Sequence, residues 1–99
     1  MNFTVIISPR ALQDLDRAYH WLLERTPQHA PEWYNRAIDA INSLESNPGR
    51  CPIAPESPRR GEIIHQLLFG DKRHARRIVF TIREQTVFVL HLTHGARER

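Results

Sequence analysis

Residues 74–99 carry two apolar runs separated by only three residues, and a chain with that ending has few ways to fold. Ile78, Val79, Phe80, Thr81 and Ile82 make the first run, and Thr86 to Leu92 make the second, with Arg83, Glu84 and Gln85 between them. Two β-branched and aromatic runs split by a short polar break read as strand, turn, strand. The break holds neither Gly nor Pro, so it does not select a turn type. Successive side chains of a strand point to opposite faces, so the register of this hairpin decides which side chains meet. With Glu84 and Gln85 as the loop, Ile82 pairs with Val87 and Arg77 lies opposite Leu92. Arg77 and His94 would then emerge on one face, one step apart. On the same register His91 shares the face of Val87 and Val89, which places it against the helices as a core histidine.

The preceding chain reads in order. Asn2 to Ser8 is a short strand. Ser8 followed by Pro9 is a good helix start, because a Ser side chain caps the first turn and Pro is at home at the first helical position. Leu12, Leu15, Tyr19 and Leu22 recur at helical spacing, with Ala11 and Ala18 beside them. That helix should end near Arg25, since Thr26-Pro27 opposes its continuation. A second helix starts at Ala30-Pro31, carries Trp33, Tyr34, Ala37, Ile38, Ile41 and Leu44 as its apolar stripe, and stops at Asn47-Pro48-Gly49. A link this short makes the pair an antiparallel helical hairpin. Pro48 to Gly61 holds four Pro and two Gly and reads as an irregular surface loop. Glu62 to Phe69 is a further strand, and Gly70 to Arg73 turns into the C-terminal hairpin. The expectation is one α+β domain over residues 1–99: an N-terminal strand, a helical hairpin and a three-stranded antiparallel meander, in the order β-α-α-β-β-β.

Composition narrows the chemistry. A chain of 99 residues supports one modest core. No apolar run approaches the ~20 residues that span a bilayer, and Met1 to Pro9 lacks the pattern of a signal peptide, so a cytoplasmic location with no membrane partner is expected. Cys51 is the single cysteine, which excludes an internal disulfide and a Cys-based zinc site. No metal and no small-molecule cofactor is expected. The net charge of +3 hides an asymmetry. Residues 1–49 have four Arg against six acids, and residues 50–99 have ten Lys or Arg against five acids, so the halves are −2 and +5. A basic half favours a polyanionic partner.

The chemistry-bearing residues gather at the C-terminal end: Lys72, Arg73, Arg76, Arg77, His91, His94 and Arg97. Metal-free RNA cleavage needs a base for the 2′-hydroxyl, a cation for the crowded phosphate and an acid for the leaving 5′-oxygen. Imidazole suits the proton transfers and Arg grips phosphate with two parallel hydrogen bonds. Arg77 and His94 are of the right types, and Arg77 is expected as an exposed sheet-face cation whose loss barely affects folding.

At this point the sequence resembles toxins of the RelE/ParE superfamily, from type II toxin–antitoxin systems. The likeness runs through Ser8-Pro9-Arg10-Ala11, Asp14-Leu15, Ala37, Ile41, Leu44, Asn47-Pro48, Arg76-Arg77-Ile78-Val79-Phe80 and the closing Val87 to Arg97. It implies a helical hairpin on a small sheet, and a cognate antitoxin as partner. It also implies one of two targets: mRNA in the ribosome, which RelE-like members cleave, or DNA gyrase, which ParE-like members inhibit without catalysis. Carried onto this chain, Arg77, His94 and Arg97 match catalytic positions of the ribonuclease branch. Lys72, Arg73 and Arg76 are the candidates for RNA phosphate. An inactive relative that only binds partners is the third reading.

Overall fold

The computed structural model describes residues 2–59, 61–70 and 75–94. β1 (Thr4–Ile7) leads into α1 (Pro9–Arg25) and α2 (Ala30–Asn42). Two single 3₁₀ turns, Ser43–Glu45 and Pro48–Arg50, precede β2 (Ile64–Phe69), β3 (Arg76–Arg83) and β4 (Thr86–His94). The sheet order is β1-β4-β3-β2. β2, β3 and β4 form the antiparallel meander, and β1 lies parallel to β4. The expected α+β order is the observed one.

Local chemistry sets the helix ends. Ser8 Oγ accepts a hydrogen bond from the Ala11 amide at 3.1 Å, with Pro9 in the first turn. At the far end the Thr26 amide closes on the Leu22 carbonyl at 2.7 Å, and Pro27 follows. The buried stripe of α1 is Ala11, Leu15 and Leu22, with Ala18 partly covered. Leu12, which spacing placed on that stripe, is 51% exposed. It sits one position out of phase with the 4, 3, 4 steps from Ala11 to Leu22 that keep to one side of a helix. α2 buries Ala30, Trp33, Ala37 and Ile41.

The main core forms between these helices and one sheet face, which presents Ile78, Phe80, Val87, Val89 and Leu92. The opposite face is covered in part by the Pro-rich segment: Ala54, Ile64 and Val79 make a second, smaller cluster with Leu90 against it. That segment is more ordered than an irregular loop. Ile53 bridges His65, the Ala54 amide bonds the Ile64 carbonyl at 2.7 Å, and the Gln66 amide bonds the Pro52 carbonyl at 2.9 Å. Residues 52–54 thus pair with the outer edge of β2, which would otherwise be an open row of backbone donors and acceptors.

The β3–β4 register begins as the sequence suggests. Glu84 takes a left-handed φ of 56° in the turn, and Ile82 pairs with Val87. It then slips. Phe80 pairs with Val89 but Val79 pairs with His91, leaving Leu90 as the extra residue of a bulge. Ser8, the cap of α1, and Asp14 within it hold β4 on either side of this point. Ser8 Oγ donates to the Leu90 carbonyl at 2.9 Å, and the Leu92 amide donates to Asp14 Oδ2 at 3.0 Å. β1 has already ended at Ile7, opposite Val89, so α1 takes over as the partner of β4. Ser8→Ala removes a helix cap and a cross-fold bond together, and is expected to cost about 1–2 kcal/mol. Urea denaturation measures it; a loss no greater than that of a solvent-exposed Ser→Ala control would show that the hydroxyl is not anchoring β4.

Candidate functional site

Alternation along β3 sends Arg76, Ile78 and Phe80 toward the helices and Arg77, Val79 and Thr81 toward the other face, as the two core clusters require. The neighbouring cations therefore part company. Arg76 is buried on the helix side, its guanidinium 5.9 Å from the Trp33 ring centroid. Burial pushes its pKa below the ordinary value for arginine. Arg76, a candidate for RNA phosphate, is thus a buried side chain, 7% exposed.

Arg77 is only 5% exposed, against the expectation of a surface cation. Its Nη1 donates to Glu56 Oε1 at 3.1 Å, and its Nη2 donates to Glu56 Oε2. Nη1 also donates to Gln66 Oε1 at 2.6 Å. The Glu56 side chain is 29% exposed and forms the outer half of this pair. The Arg77 hydrogen bonds hold its carboxyl below the usual carboxylate range, although burial pulls the other way. Glu56 is the site residue that sequence reasoning missed. It is a lone acid in a proline-rich loop, 21 positions from its partner, and no local pattern marks it.

The bulge rearranges the imidazoles as well. Arg77 pairs with Thr93 rather than Leu92, and His94 takes the register position across from Arg76. The parity that would bring Arg77 and His94 onto one face is broken by one residue. His91, expected under the helices with Val87 and Val89, instead pairs with Val79 on the Arg77 face. It is 8% exposed, and its Nδ1 is buried with no hydrogen-bond partner. Burial is the main reason its pKa falls below 6.5; the charges of Arg10 and Arg77 act in the same direction, and those of Asp14 and Glu56 oppose. Lys72, Arg73 and Arg97, also named as site residues, lie outside the described residues. Among the described residues no group of His, Cys, Asp and Glu could hold a metal ion, and no helix is long and apolar enough to cross a membrane. A cavity of about 190 Å³ between the helix ends, walled by Leu22 and Trp33, includes none of Arg76, Arg77 or His91.

These shifts predict a pH dependence. The folded state resists protonating His91, whereas the unfolded chain accepts a proton near 6.5. The unfolded state therefore binds more protons, and stability falls as pH drops. It is expected to be full above the histidine range, to decline as pH falls through 6.5, and to decline again below 4.5 as Glu56 loses its advantage. Melting curves from pH 8 downward test this, and His91→Gln should remove the first decline while leaving the second.

The comparisons with known proteins agree with this architecture. The family model described as the ParE toxin of the type II toxin–antitoxin system parDE matches residues 5–99. Toxin RelE1 of Caulobacter vibrioides is 31% identical over 99 residues, covering 100% of both chains. Among solved structures, a chain of the chromosomal ParDE system from P. aeruginosa superposes with a TM-score of 0.73 at 15% identity, covering 93% of this chain and 95% of that one. A mutant of the E. coli toxin RelE in the free state gives 0.57 at 12% identity, covering 97% and 86%. The RelBE2 toxin–antitoxin complex from Mycobacterium tuberculosis gives 0.55 at 19%, covering 96% and 100%. With the family model spanning nearly the whole sequence, the chain belongs to the ParE toxin family and is a type II toxin of the RelE/ParE superfamily.

Proposed function

We propose that this toxin arrests growth as a non-enzymatic, ParE-like inhibitor of DNA gyrase, and that a cognate antitoxin holds it inactive. One observation carries the choice of target. The cation best matched to a ribonuclease role, Arg77, is buried and has its fork filled by the Glu56 carboxylate and the Gln66 amide. A guanidinium in that state cannot also clamp a scissile phosphate, and His94 is not in register beside it. Inhibition by surface contact needs neither group free. The antitoxin follows from the family and from two of the solved relatives, which belong to toxin–antitoxin systems.

Two assays on the purified protein decide between targets. Loss of gyrase supercoiling with ribosome-bound mRNA left intact is the expected result. Cleavage of ribosome-bound mRNA with gyrase unaffected would sink the reading. That second outcome has its own support, since the full-length relative is named RelE1. It would assign Arg77, His94 and Arg97 to catalysis and Lys72, Arg73 and Arg76 to RNA phosphates. Unaffected growth on induction of soluble protein would count against both.

A further inference from the structure

We propose that residues 52–58 are a built-in guard on the β2 edge, and that the partner they exclude is β2 of a second copy of this chain, paired antiparallel about a two-fold axis. The inference rests on how this segment pairs with β2 and is independent of which target the toxin takes.

The sheet has two edges. β1 is four residues long, and the chain just before it is tied down by the Phe3 amide on the Glu45 carbonyl at 2.8 Å. β2 is six residues long, Ile64–Phe69, with no charged residue, no Pro and no Gly. Edge strands are commonly blunted by a charge, a proline or a bulge, and a neutral apolar strand without one is a template for another strand. Here the segment before β2 supplies the cover. The Ala54 amide donates to the Ile64 carbonyl at 2.7 Å, the Gln66 amide donates to the Pro52 carbonyl at 2.9 Å, and Ser57 Oγ accepts from the Ile64 amide at 3.0 Å. Ile53 bridges His65 in the antiparallel sense, so Ala54 stands opposite Ile64 and Pro52 opposite Gln66. The outward backbone groups of β2 are therefore those of Ile64, Gln66 and, by alternation, Leu68. Leu68 lies beyond the cover and is 59% exposed. A two-fold axis at Gln66 would set Gln66 against its own copy and Leu68 against Ile64 of the second molecule. Those are the places that Pro52 and Ala54 hold in the closed chain, so guard and second copy exclude one another. Two identical neutral strands bring no like charges together. The guard does not become a new edge in turn, because Pro52, Pro55 and Pro58 have no N–H to offer. The Glu56–Arg77 pair anchors it on the sheet face, whereas the three hydrogen bonds to Ile64 and Gln66 hold it on the edge. Being tethered, it sits at an effective concentration on the order of millimolar, and so prevails over a second molecule below that level.

Sedimentation equilibrium on the purified full chain, from micromolar to millimolar, reads the dimer dissociation constant. The series is wild type, Ser57→Ala, the double variant A54P/S57A, and both of these with Leu68→Lys added. The two guard substitutions leave β2 itself unchanged. A54P/S57A removes the donor to the Ile64 carbonyl and the acceptor of the Ile64 amide. It should dimerise roughly 10-fold to 100-fold more tightly than wild type, the fold-change of two net hydrogen bonds. Ser57→Ala alone should tighten the dimer by roughly 2-fold to 10-fold. Leu68→Lys should return either variant to the wild-type constant, because it sets a cation against the apolar Ile64 of the second copy. A folded A54P/S57A as monomeric as wild type overturns the proposal. So does dimerisation that survives Leu68→Lys, since another surface would then carry it. If A54P/S57A is unfolded, Ser57→Ala decides: a tighter dimer that Leu68→Lys cancels supports the guard, and a constant equal to that of wild type overturns it.

Discussion

Glu56→Ala is expected to cost about 2–3 kcal/mol of stability, or roughly 10–20 °C in melting temperature for a domain of this size. The carboxylate contributes little as an isolated surface group. Its removal takes the carboxylate away from the Arg77 guanidinium, whose side chain is 6% exposed, in a low-dielectric layer where Gln66 also accepts from it. Breaking a buried pair from the exposed side is the costly direction, because the deeper charge cannot return to water. The reverse substitution is milder. Arg77→Met keeps the aliphatic stem packed, and the partly exposed Glu56 can rehydrate. It is expected to cost no more than about 1 kcal/mol. The double variant should recover most of what Glu56→Ala loses, and the cycle of four melting curves isolates the pairing energy. Equal costs for the two single variants would mean that the burial of Arg77 is not what sets the penalty.

Phe80→Ala is expected to cost about 3–5 kcal/mol, the largest effect of any single truncation in the sheet. Phe80 is fully buried at the centre of β3, between β4 and β2, and its ring stacks on His65 with centroids 5.4 Å apart and planes 15° apart. Its cross-strand neighbours, Val89 and His65, are held by ladder pairing on both sides and cannot collapse into the void. Against the roughly 5–15 kcal/mol typical of a whole domain, that leaves a chain close to unfolding at growth temperature. Urea unfolding should show the midpoint falling at unchanged slope, and toxicity should vanish with the folded signal. Arg17→Ala, on an exposed helix face, should stay within about 0.5 kcal/mol of wild type. A loss of toxicity therefore speaks to mechanism only at positions that, like Arg17, leave the fold alone.

The elements and their order were legible along the chain. Ser8-Pro9 started α1 and Thr26-Pro27 ended it, because capping and the restriction before proline act between neighbours along the chain. The β-branched runs announced β3 and β4, and the two residues between Arg83 and Thr86 sufficed to pair Ile82 with Val87. Periodicity located the helix stripes but misjudged Leu12, since phase is decided by what packs on the helix. The surroundings of Arg77 and His91 come from long-range contacts. The slip at Leu90 accompanies a Ser8 hydroxyl 82 positions away and an Asp14 carboxylate 78 positions from Leu92, and no local pattern encodes either. That one residue moved His91 onto the Arg77 face and put His94 across from Arg76. Likewise, the type of residue 77 suggested a free cation, whereas its state depends on Glu56 arriving from a distant loop. A side chain's identity is written in the chain, but its charge environment is set by whichever groups folding brings within reach, and electrostatics acts through space.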